Sequence, residues 1–93
     1  MSNVQKQMRM MNAVSEAVSF RKKNPRADHS DIMDYISNNV IKFENDPGTK
    51  IAMIAATSKV LEILDKNPGM SERQVTQEIV KELPGILRNL EVA

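Results

Sequence analysis

A chain of 93 residues with 41% hydrophobic and 27% charged side chains, and only three aromatic rings (Phe20, Tyr35 and Phe43), has the make-up of one globular domain. The absence of cysteine excludes disulfides, zinc–thiolate sites, iron–sulfur clusters and thiol nucleophiles. The net charge of +1 hides a polarity: six Lys or Arg face two acids over residues 1–28, and seven face ten over the remainder.

The first helix is expected from about Val4 to Lys22. Val4, Met8, Met11, Val14 and Val18 recur on one side, and Met10, Ala13, Ala17 and Phe20 widen that arc. Asn24-Pro25 ends it, because the residue before a proline is pushed out of the helical region. A second helix should open at Asp28 or Ser30 as cap and carry Ile32, Ile36, Val40 and Phe43 on its inner face, ending near Phe43 or Glu44. Asp46-Pro47 reads as cap and first position of a third helix, Pro47 to Lys66, the most apolar of the set. It stops at Asn67-Pro68-Gly69. Ser71 and Gln74 form the capping box of a fourth helix whose inner face is Val75, Ile79 and Leu83. Pro84-Gly85 is expected to kink or break it, leaving a short fifth helix or bent extension from Pro84 to about Leu90 within a C-terminal extension 84–93. The fold class is therefore all-α, with four to five helices, and Ile36, Leu61 and Ile79 are expected core positions.

Shifting the chain by 43 residues lays residues 8–40 on 51–83 with seven identities, among them Lys23/Lys66, Asn24/Asn67, Pro25/Pro68 and Ile36/Ile79. Each half reads as helix, Asn-Pro corner, capped helix. The spacing is that of helical solenoid repeats, so the expectation is a single domain of two hairpins, related either by internal duplication or only by sharing Asn-Pro as a common helix stop. Two such units leave apolar surface open, which a second copy or a partner helix would cover.

Little in the sequence bears chemistry. The lone histidine, His29, stands in a polar corner beside Asp28, Asp31 and Asp34, the signature of a solvated helix start rather than of a metal or general-base site. No glycine-flanked serine and no phosphate-cradling loop is present. No enzyme activity and no cofactor are expected. No run approaches the ~18 apolar residues of a membrane span, and the start of the chain lacks an apolar signal core. A cytoplasmic protein without membrane contact is the expectation.

NDPGTK…VLEILDKNPGMS resembles the Asp-Pro-punctuated helical pairs of a small archaeal protein family. DIMDYISNNVIKFENDP is similar to the helical N-terminal region of translation initiation factor 2B alpha subunits. Each likeness covers less than half the chain, and no functional residue is carried over.

The leading reading is a protein–protein interaction module or homo-oligomeric adaptor, with Met8, Met11, Ile51 and Ile54 as candidate interface residues. The alternative is a nucleic-acid-associated protein in which Arg21, Lys22, Lys23 and Arg26 contact phosphates or another acidic partner.

Overall fold

The computed structural model describes Ser2–Val92. Four α-helices order the chain: α1 (Asn3–Lys23), α2 (His29–Asn39), α3 (Pro47–Lys66) and α4 (Glu72–Val92), with a 3₁₀ turn at Ile41–Phe43 between α2 and α3. The fold is all-α, and the described residues contain no strand. The radius of gyration, 12.4 Å, matches the ~12 Å expected of a close-packed chain of this length.

The helix starts follow from local chemistry. Ser2 and Gln5 form a capping box on α1, with bonds of 3.2 and 3.1 Å. Asp28 and Asp31 do the same for α2, at 2.8 and 3.2 Å. The Asp46 carboxylate accepts from both the backbone N–H and the hydroxyl of Thr49 at the head of α3, where Pro47 takes the first turn. Ser71 and Gln74 close the box at the head of α4 as expected. Each box satisfies backbone donors that no helical carbonyl can reach.

The helix ends at the two corners are alike in detail. Asn24 leaves the helical region (φ −129°, ψ 74°), and both its backbone N–H and its side-chain amide donate to the Phe20 carbonyl, at 2.9 and 3.0 Å. Asn67 (φ −137°, ψ 67°) repeats this on the Ile63 carbonyl, at 3.0 and 3.1 Å. Each turn then closes with a bond back to the Asn carbonyl, from Ala27 and from Met70.

α1 and α3 run parallel. Arg9 meets Glu44 near their starts and Arg21 meets Asp65 near their ends. They form the most extensive helix pair, and buried alanines on both (Ala13, Ala17, Ala52, Ala56) allow a close approach of the two backbones. α4 runs back against both, whereas α2 packs mainly on α1 and the 3₁₀ turn. Met10, Ile32, Ile36, Met53, Leu61, Ile79 and Leu83 are the largest fully buried hydrophobic side chains, so the three expected core positions are all inside.

One expectation fails and another is narrowed. The second helix does not continue to Phe43: it ends at Asn39, and Val40 (φ −129°, ψ −60°) turns the chain into the 3₁₀ segment. Ile41 takes the buried place, Val40 is half-buried, and Phe43 is 71% exposed, while the adjacent Glu44 is buried. At Pro84, of the two outcomes expected, a break into a fifth helix does not occur: α4 runs through the proline to Val92 as one element, giving four helices. Pro84 lies on the exposed side, as does Val80, whose carbonyl loses its partner, so water can take that bond. Leu83 and Leu87, both buried, pin the helix on either side of the proline. The halves are consequently unequal, with 11 residues in α2 and 21 in α4.

Candidate functional site

The eight residues singled out by sequence fall in three places. The basic cluster sits at the pole where α1 and α3 end and α2 and α4 begin, and the fold divides it. Arg21 donates to Asp65 at 3.1 Å, and His29 Nε2 lies 2.6 Å from the other oxygen of the same carboxylate, so Asp65 ties together the ends of three helices. The Arg21 hydrogen bond, with the charges of His29 and Arg21 beside it, holds the Asp65 carboxyl below the usual carboxylate range. Lys22 lies 3.8 Å from Glu72 at the start of α4. Lys23 and Arg26 make no ion pair among the described residues. They line an open hollow at the first corner, but Asp31 and Asp34 line it too. Two of the four cations thus lie against acids, and two make no ion pair among the described residues.

Met8 and Met11 lie on an apolar groove of about 410 Å³ between α1 and α4, with Val4, Val80 and Leu83. Val4 and Met8 project from it (68% and 67% exposed), and Val80 stands on the opposite bank. Met11 and Leu83 belong to the core or pack against it, forming the floor. Met11 is thus more support than contact. Val80 was legible as an apolar residue next to, but off, the Val75–Ile79–Leu83 stripe; a side chain of that kind serves no local core.

Ile51 and Ile54 are exposed on the outward side of α3 and line no described cavity with the methionines. The structure shows two separate apolar exposures.

Asp28 and Asp31, which the sequence places beside His29, are engaged as the α2 cap, and no group of three or more His, Asp or Glu able to hold a metal occurs among the described residues. No helix among them is long and apolar enough to cross a membrane. Comparisons with protein-family models, with curated proteins and with solved structures each find no match, so neither of the two likenesses seen in the sequence gains support.

Proposed function

We propose that the protein is a helical interaction module, without catalysis of its own, that pairs with a second copy of itself through the α1/α4 groove. The observation that carries this is the contiguity of Val4, Met8 and Val80, three exposed apolar side chains around a groove floored by Met11 and Leu83. One patch holds both a ridge and a furrow, which suits a two-fold interface in which each copy offers the same surface.

Such an interface is small. A stable one buries about 800 Å² on each side, so a groove lined by six residues supports a transient dimer rather than an obligate one. Light scattering across a concentration series is expected to show mass rising above 10.5 kDa at micromolar levels. Met8→Glu and Val80→Glu, both at exposed positions, should return it to the monomer, while Ile51→Glu should leave it unchanged. A wild-type mass of 10.5 kDa throughout would sink the reading.

The nucleic-acid alternative rests on the two unpaired cations, Lys23 and Arg26. Two phosphate contacts give a log–log salt slope of only about −2, against about −3 or steeper for the whole cluster. Fluorescence anisotropy at two salt concentrations is expected to detect no duplex binding at physiological salt. Submicromolar binding lost on changing the four cations to Gln would reverse the order of the two readings.

A further inference from the structure

We infer that the recess between α1, α2 and the 3₁₀ turn binds a small organic cation, an alkylammonium or guanidinium group. This does not depend on the pairing proposed above, which uses the α4 side of α1. The recess has a volume of about 280 Å³, and its lining includes Arg9, Glu16, Tyr35, Asn39, Phe43 and Glu44.

Three departures from the hydrophobic pattern converge there: α2 stops before Val40 without a glycine or proline, Phe43 is exposed, and Glu44 is buried. Such local inconsistencies collect at functional places in a fold. Burying a carboxylate is costly unless its oxygens are satisfied, and the Glu44 side chain is only 6% exposed. One oxygen accepts from the Asp46 backbone N–H at 3.2 Å. The other meets Arg9 Nε at 3.4 Å, a long contact to a side chain that is itself 57% exposed. Glu44 thus retains acceptor capacity.

The neighbouring groups offer acceptors too. Glu16 makes no hydrogen bond or ion pair among the described residues. Asn39 uses its amide N–H on the Tyr35 carbonyl at 2.8 Å, which leaves its side-chain oxygen for a ligand. Two Glu against one Arg make the lining formally negative. The rim is aromatic, with Tyr35 fixed by stacking on Phe20 (ring centroids 4.2 Å apart) and Phe43 already carrying the Lys42 ammonium 5.2 Å from its centre. Acceptors, negative charge and ring faces together complement a cation. An anion would meet two carboxylates, and an apolar molecule would strip them of water. The volume suits a few-carbon amine or guanidine and is too small for a nucleotide.

Tyr35 is the sole tyrosine and the chain has no tryptophan, so tyrosine emission reports on this recess alone. Agmatine, which carries both cationic groups, is expected to change that emission saturably with half-saturation at about 1 mM or below. Glu16→Gln, at an exposed position, should weaken it about tenfold, the effect of one lost charge-assisted hydrogen bond. Glu44→Gln should do the same, with far-UV circular dichroism showing that the variant is folded; if it is not, Glu16→Gln decides alone. An unchanged signal up to about ten times the expected half-saturation, equal binding by Glu16→Gln and wild type, or saturation of the same signal by acetate would each overturn the inference.

Discussion

At Asn24 and at Asn67 the chain leaves a helix by the same pair of hydrogen bonds, yet the helix that follows has 11 residues after the first corner and 21 after the second. The local signals point the other way: the breaker, Pro84, lies in the long helix, and the short one ends at Val40 with neither proline nor glycine beside it. A corner is a matter of a few neighbouring atoms, so equal sequences make equal corners. The length of the next helix depends on what it packs against. α4 lies on both α1 and α3 and is pinned by Leu83 and Leu87, which carries it past the proline. α2 has mainly α1 beside it, and breaking at Val40 lets Ile41 enter the core while the chain turns toward the head of α3.

The largest expected effect tests whether the halves are equivalent in packing. Ile36 and Ile79 are counterparts across the 43-residue shift and both are fully buried. Truncation to Ala should cost about 2–4 kcal/mol at each, since lost burial and a residual cavity add together. Ile79 should lie at the upper end, because a helix held by two neighbours collapses less around a cavity. Chemical denaturation of the two variants measures the difference. A larger loss at Ile36 would reverse the contrast drawn between α2 and α4.

Next comes Pro84→Ala. If tertiary anchoring alone carries α4 through the proline, alanine restores the missing hydrogen bond to Val80 and stabilises the protein by about 1–3 kcal/mol. Thermal melts would show the gain. A loss of stability would mean that the proline shapes α4 in a way the fold requires.

The smallest effect concerns the electrostatic tie at the shared pole. Because the Asp65 carboxyl is held low by Arg21 and then by His29, its folded form binds a proton less readily than the unfolded chain does. Its contribution is therefore complete above the usual carboxylate range, near pH 4–5, and is lost as pH falls below it. Asp65→Asn should flatten the fall in melting temperature on acidification, and an unchanged acid profile would remove Asp65 from the tie. Lys22→Ala, by contrast, breaks only a 3.8 Å contact between exposed groups and should shift neutral-pH stability by less than about 0.5 kcal/mol.

Much of the fold was legible because it is local. Caps at Ser71 and Asp46, the stops at Asn24 and Asn67, and the inner stripe of Ile32, Ile36, Val75, Ile79 and Leu83 depend on residues within one or two turns of each other. The candidate surfaces were legible only in part. Sequence could show that Met8 and Ile51 were surplus to their helices, but not that α4 would bring Val80 beside Met8 and leave Ile51 elsewhere. It could show four cations together, but not that Asp65 and Glu72, far along the chain, would occupy two of them.

By itself, then, the sequence determined an all-helical chain with two matching corners, because hydrogen bonding at caps and turns and the 3.6-residue period act over short distances. Tertiary structure decided where α2 ends, whether Pro84 breaks α4, which half of the basic cluster stays free, and that Phe43 lies outside while Glu44 lies inside. Those outcomes depend on which helices become neighbours, and burial is a property of the assembled core rather than of any segment.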